Sequence, residues 1–256
     1  SKIDFRYEEK DKIEIIKDLD LIKDNNQTNT LISLNNALLA NYVKITIKQN
    51  YSLNKPLVIY NITNKELDST AINLRTDITL EENSSLKLIN LANDESTNNF
   101  FNIYQNFKIY KNAILKNYKI DFNDNLNIKY FFNNIDLGNN GLAETFVFST
   151  GSKFIKNEIN CNLNQEYSSA FINGIINLDK SKHHEIKTNI NHLAENTKSY
   201  QLIKCVLNDT AKGVYQGKIF VDSRAQKTDG YQLSKALLLS DNTEFDAKPE
   251  LEIYAD

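Results

Sequence analysis

Residues 204–256 read KCVLNDTAKGVYQGKIFVDSRAQKTDGYQLSKALLLSDNTEFDAKPELEIYAD. Two short glycine-punctuated strands lead into a polar Gln-Lys-Thr-Asp turn, an apolar Leu237-Leu238-Leu239 run, and a closing strand around Leu251, Ile253 and Tyr254. Almost none of these residues is of a type that enzymes use for chemistry. What the stretch does have is alternation, with apolar side chains at every second position between polar turns.

The same pattern continues upstream. Val43, Ile45 and Ile47 alternate with Lys44, Thr46 and Lys48. Similar period-two runs, rich in Ile, Phe, Tyr, Val and Thr, cover 57–62, 72–80, 86–91, 107–110, 113–122, 126–132, 145–149, 154–161, 170–178, 184–192, 199–207 and 217–222. Helical spacing is nearly absent; the exceptions are a short helix expected over Ser33–Asn41 and a second candidate over Tyr231–Leu237. Of the paired aromatics Phe100/Phe101 and Phe131/Phe132, one of each is expected to face inward, as core rather than as a base-stacking platform.

Turns in a strand-rich chain usually draw on glycine, yet there are only 7 Gly and 2 Pro. Asparagine is the substitute: 38 residues, about one in seven. It tolerates the left-handed backbone region and bonds locally through its amide. Many short strands at regular spacing are compatible with a sandwich, a barrel or a solenoid. Asn-marked turns favour the parallel β-solenoid, where equivalent amides can stack as ladders from coil to coil. No exact repeat is visible and no linker divides the chain, which reads as one domain.

Composition removes several classes of function. Lys plus Arg number 30 against 33 Asp plus Glu, a net charge of -3, without the basic excess of a nucleic-acid binder. No apolar run reaches roughly eighteen residues, and the first twenty are highly charged, so neither a membrane span nor a signal peptide is expected. Two cysteines cannot make a disulfide framework, which points to a reduced compartment: cytoplasm or, alternatively, plastid stroma.

Candidate chemistry is sparse. His184 and His192 share strand parity, with His183 on the opposite face. Eight residues apart on one strand, the first two would be over ~20 Å apart at a rise of about 3.3 Å per residue, too far to share a metal. Cys205, among Leu202, Ile203, Val206 and Leu207, reads as core, and Cys161, between Asn160 and Asn162, as more exposed. Carboxylate neighbours such as Glu81/Glu82, Asp94/Glu95 and Asp241/Glu244 have no distinguishing context. A polysaccharide-cleaving solenoid would need Asp, Arg and Lys gathered on one face, whereas Arg6, Arg75 and Arg224 are widely spaced. Phosphate-binding, zinc-finger and nucleophile-elbow motifs are missing.

One resemblance goes further. Thr188, Ile190, His192, Thr197 and Ser199 match a T-x-V-x-H-x(4)-T-x-S pattern. Lys204, Val206, Leu207, Asp209, Ala211, Gly213, Val214, Gly217 and Ile219 match K-x-V-L-x-D-x-A-x-G-V-x-x-G-x-I, and Gln226-Lys227-Thr228-Asp229 with Gln232 and Leu237–Leu239 match Q-K-T-D-x-x-Q…L-L-L. Residues 248–256, KPELEIYAD, match a terminal signature. On these the chain resembles the SufB/SufD family of the Suf iron–sulfur cluster assembly system, and its SufD branch most.

The resemblance implies an all-β fold, a right-handed parallel β-helix with minor helical segments. It would form a single core domain over 1–256, with an N-terminal edge over roughly 1–41 and without the family's flanking helical regions. It implies a non-catalytic scaffold in a SufB–SufC–SufD complex, pairing with SufB through the β-helix and with the SufC ATPase through a C-terminal region beyond Asp256. SufC dimerisation on ATP would open the SufB–SufD interface, where a transient iron–sulfur cluster would form. No metal ligand or cofactor falls on this sequence. Gln226, Lys227, Thr228, Asp229, Lys248, Pro249, Glu250 and Tyr254 are expected to shape the final coils near the SufB contact, with Gly213 and Gly217 as strand turns. The alternatives are a polysaccharide-acting solenoid enzyme and a stand-alone solenoid binding protein.

Overall fold

The computed structural model describes residues 11–17 and 29–255. Its strands divide by parity into two sheets. One holds β1 (Ile13–Ile16), β2 (Asn41–Ile47), β4 (Ala71–Leu80), β6 (Phe100–Ile109), β8 (Ile128–Leu137), β10 (Phe154–Leu163), β12 (His183–His192), β14 (Lys212–Val221) and β16 (Glu244–Ile253), in that order. The other runs from β3 (Leu57–Thr63) through β5 (Ser85–Asp94), β7 (Ile114–Asp121), β9 (Leu142–Ser149), β11 (Ser169–Leu178) and β13 (Lys198–Leu207) to β15 (Asp229–Leu238). Each coil gives one strand to each sheet, and every pairing is parallel except β1 on β2. The result is a β-solenoid of about seven turns. Parallel connections of this kind are right-handed in nearly all proteins.

Stacking in register turns sequence alternation into columns. Leu80, Ile109, Leu137, Leu163, His192, Val221 and Ile253 are successive register partners, as are Ile78, Phe107, Ile135, Cys161, Ile190, Ile219 and Leu251. In β10 and β12 burial alternates at every residue. Parallel sheets usually have both faces covered; here the outer face is mostly open, apart from the part of β4 and β6 under the helix, and the period of two survives where it is open.

The amide ladder expected at the turns is present. Asn50, Asn83, Asn112 and Asn140, each at positive φ before an odd-numbered strand, are joined by three Nδ2–Oδ1 bonds of 2.8 Å. No glycine has positive φ. A second ladder, Asn106–Asn134–Asn160–Asn189, runs along the outer face of the even-numbered sheet.

The helix α1 spans Thr30–Ala37 rather than Ser33–Asn41. Asn29 caps it, its Oδ1 accepting from the amides of Leu31 (2.9 Å) and Ile32 (3.3 Å), and the chain re-enters the sheet at Asn41. Asn35 and Asn102 pin it to the even-numbered sheet: Asn35 Nδ2 donates to the carbonyls of Leu74 and Asn102, and Asn102 Nδ2 to that of Leu31. The helix expected over Tyr231–Leu237 is instead β15, in register with β13. Pairing with the coil beneath overrides the local spacing.

Candidate functional site at the last coil

The last coil breaks the pattern that the rest obeys. In β15 and β16 the columns continue, since Leu251 stacks on Ile219 and Ile253 on Val221, but no described coil lies beyond them. Leu251 and Ile253 are 60% and 57% exposed, whereas Ile219 and Val221 are buried. Leu237, Leu238 and Leu239 are exposed as well. Both strands are sheet edges, so unpaired backbone donors and acceptors and the uncovered end of an apolar column are exposed at the same end of the solenoid. An edge of this kind accepts a further strand through main-chain bonds, with the alternate side chains setting the fit.

The residues expected at this end fall into two groups. Gln226–Asp229 form the turn entering β15. Lys227 is at φ 57°, the Gln226 carbonyl accepts from Asn196 N at 2.9 Å, and Thr228 Oγ1 donates to Ala225 O at 2.8 Å. Asp229 N bonds back to Thr197 O at 3.0 Å. Lys248, Pro249 and Glu250 lie in the edge strand β16, with Lys248 paired to Glu250 at 2.8 Å. That cation holds the Glu250 carboxyl below its usual range. Proline is tolerated on an edge because it has no N–H to offer a neighbour. Tyr254, 63% exposed, packs against Phe220. Lys248 and Glu250 also line an open trough of about 670 Å³ on the outer face of the even-numbered sheet, with Glu158, Lys187 and Lys218. Glu158 there accepts from Lys187 and from the Tyr130 hydroxyl, both at 3.0 Å.

Gly213 and Gly217 are not turns. Both lie within β14 and point inward. At Gly217 a Cβ would collide with the Tyr215 hydroxyl and the Gln232 amide oxygen; at Gly213 the nearest atom is a Leu207 methyl at 3.2 Å. Cys161 is likewise not exposed: its column faces the core at 0% exposure, and burial pushes its thiol pKa up. Cys205 is buried as expected, its thiol raised to about 12. Phe101 and Phe131 are the buried members of their pairs.

His184 and His192 are fully buried, and burial lowers both to about 4. Among the described residues no group of three or more His, Cys, Asp and Glu is arranged for a metal ion. Arg75 and Arg224 each pair with an aspartate two residues away, Asp77 and Asp222, at distant coils; Arg6 lies outside the described residues. Lys44, Arg75, Asp77, Lys108 and Asp136 do share one open trough on the outer face of the even-numbered sheet, with the Arg75 guanidinium taken up by Asp77. No described helix is long and apolar enough to cross a membrane.

Two features had no sequence signal. One is a charged cluster inside the solenoid, where Lys129 meets Asp94 at 2.5 Å and Asp121 at 2.6 Å with all three side chains almost fully buried. The other is the outer face of the odd-numbered sheet, where Val58, Ile89, Tyr118 and Phe146 stack in one row and Tyr60, Leu91, Ile120, Phe148 and Ile175 in the next.

Residues 60–256 match the SufBD core domain of the SUF system for FeS cluster assembly. The chain belongs to the SufBD core family. Among curated relatives it is 27% identical over 234 residues to the iron–sulfur cluster assembly protein SufD of Escherichia coli, covering 90% of this chain and 55% of that protein. It is 40% identical over 74 residues to a SufBD family protein of Synechocystis, covering 29% of this chain and 16% of that one. The chain thus spans about half the length of the longer-matching relative. The SufBD match begins within β3 and runs through the uncovered last coil, and the β-solenoid accommodates it without a break.

Proposed function

We propose that this chain is the β-helical core of a non-catalytic scaffold subunit for iron–sulfur cluster assembly, and that its last coil pairs with a SufB-type partner. The observation that carries this reading is the uncovered end of the solenoid. β16 offers a parallel-strand edge and an apolar column ending in Leu251 and Ile253 at 60% and 57% exposure. A partner strand laid along it would satisfy the backbone and cover the column at once. The nascent cluster is cargo of the assembly, formed where the two subunits meet, and a SufC-type ATPase completes the complex.

The experiment is co-expression of the full-length protein with SufB and SufC of the same source, followed by affinity capture. The three are expected to co-purify. Leu251→Lys with Ile253→Lys should weaken capture of SufB by at least tenfold, about 1.4 kcal/mol. Ile89→Lys, on the outer face of β5, should leave it unchanged. A full-length protein that captures neither subunit ends this reading.

A further inference from the structure

Lys119 and Asn157 face each other across the interior of the solenoid, one from β7 and the other from β10, in opposite sheets. Both are almost completely buried, at 5% and 2% exposure. Lys119 Nζ donates to Asn157 Oδ1 at 2.5 Å. Given a C=O bond of ~1.23 Å, the amine nitrogen is no more than about 3.7 Å from the amide carbon Cγ, close to the separation of a near-attack geometry. One side of the amine is covered by the ring of Phe131. Around it Phe101, Ile103, Phe131 and Ile155 form an apolar cluster of their own.

This setting makes lysine a nucleophile. Burial, with Lys129 nearby, pushes the Lys119 amine well below its ordinary pKa, against the opposing pull of Asp121. A desolvated amine whose burial favours the uncharged form, held on an amide carbonyl, is an activated nucleophile. Asp121 lies two residues along the same strand on the same inner face. Its Oδ2 is occupied by Lys129, while its Oδ1 is buried without a hydrogen-bond partner. It supplies a carboxylate oxygen able to carry a proton.

We propose that Lys119 and Asn157 are joined by an intramolecular isopeptide bond that ties the two sheets of the solenoid together. Lys119 Nζ attacks Asn157 Cγ, the Nζ–Cγ bond forms and the Cγ–Nδ2 bond breaks. A proton leaves Nζ, is relayed by Asp121 to Nδ2, and Nδ2 departs as ammonia. No oxidant, reductant or cofactor enters the balance. The tie falls where charged and amide groups interrupt the apolar columns, and it restricts the unfolded chain as any covalent cross-link does.

The test is denaturing mass spectrometry of the purified full-length protein, with proteolysis. The intact chain should be one ammonia lighter than its sequence. Trypsin should fail to cut after Lys119, and a branched peptide should join Lys119 to residue 157. Asn157→Ala should keep the full mass of its sequence and restore cleavage after Lys119. Asn157→Asp should lose water instead and reach the same cross-linked mass as the parent. A folded parent protein that keeps its full mass and is cut after Lys119 overturns the proposal. So does an Asn157 that is only deamidated, or a cross-link that forms only after unfolding.

Discussion

Asn112 donates from Nδ2 to Oδ1 of Asn83 at 2.8 Å while its own backbone sits at φ 56°. The one residue therefore does two jobs: it turns the chain in the left-handed region and it carries the amide ladder. Asn112→Ala loses both, with a left-handed penalty of about 1–2 kcal/mol and two solvent-exposed hydrogen bonds besides, to Asn83 and from Asn140. Asn112→Gly keeps the turn and loses only the ladder. Urea denaturation should rank the parent above Asn112→Gly and that above Asn112→Ala, the last lower by roughly 1–3 kcal/mol. Equal losses in the two variants would show that the ladder, not the turn, dominates.

At Gly217 the constraint is space rather than backbone angle. Tyr215 stands two positions earlier on the same inner face, its hydroxyl 3.3 Å from Gln201 Oε1, and the room that a methyl at 217 would take is already filled by that hydroxyl and Gln232. Gly217→Ala should cost about 1–3 kcal/mol by overpacking, and Gly213→Ala under about 1 kcal/mol, since only a Leu207 side chain must give. Combining Gly217→Ala with Tyr215→Phe should recover part of the loss, because the two changes share one contact. Strict additivity in thermal or chemical melts would remove that contact as the cause.

Alternation was enough to read most strands from the sequence because one inner face demands it: Ile155, Asn157, Ile159, Cys161 and Leu163 are buried and the residues between them are not. Asparagine turns were legible for the same kind of reason, since only a few side chains accept positive φ. The solenoid itself was not decided by pattern, because stacking is a relation between coils some thirty residues apart, and a sandwich strand has the same period. Gly213 and Gly217 looked like turns because glycine is the usual turn residue; the side chain that needs the space, Tyr215, is visible only once the inner face is assembled. Cys161 read as exposed because its neighbours are polar, although in a period-two strand polar neighbours go with an inward position. Lys129 and Lys119 gave no sign in sequence, since a lysine in a strand is ordinarily solvated, and the side chains they bond, Asp94 and Asp121 for Lys129 and Asn157 for Lys119, come from other strands.

His184 and His192 make the fold sensitive to mild acid. His184 Nε2 donates to the Ser152 carbonyl at 2.8 Å, so Nδ1 accepts from Ser149 Oγ at 2.8 Å. Thr197 Oγ1 donates to Ala194 O and takes His192 Nδ1–H at 2.7 Å, leaving Nε2 to accept from Ser199. Each ring uses one nitrogen as acceptor, and protonation breaks that bond inside a dry interior. Burial lowers both from 6.5 to about 4. The unfolded chain then binds more protons than the folded one between these values, so stability is complete above 6.5 and is lost as pH falls toward 4. The loss should approach on the order of 3 kcal/mol per histidine at the acid end of that window. Urea midpoints from pH 7 to pH 4 should fall steeply below 6.5, and His184→Gln should flatten the slope. A parent midpoint constant across that range would contradict the argument.

Lys129 offers the sharpest separation of charge from volume. Its Nζ serves Asp94 and Asp121 together, at 2.5 and 2.6 Å, and the three side chains are 1%, 1% and 4% exposed. Removing the cation while keeping the bulk, as in Lys129→Met, leaves two carboxylates in the interior with no partner of opposite charge. Breaking a buried pair from one side in this way costs about 3–5 kcal/mol, far more than the pair contributes relative to apolar packing. The deficit should therefore be reversible by removing the orphaned charges: Lys129→Met with Asp94→Asn and Asp121→Asn should regain most of the stability lost by Lys129→Met alone. The amides keep the shape and hydrogen-bonding capacity of the acids without their desolvation cost. If the triple variant is as unstable as the single one in chemical denaturation, then lost packing of the lysine stem against Phe101, rather than unpaired charge, accounts for the effect; the Nζ lies 5.5 Å from that ring. If it recovers, the cluster holds the coils together only as a matched set.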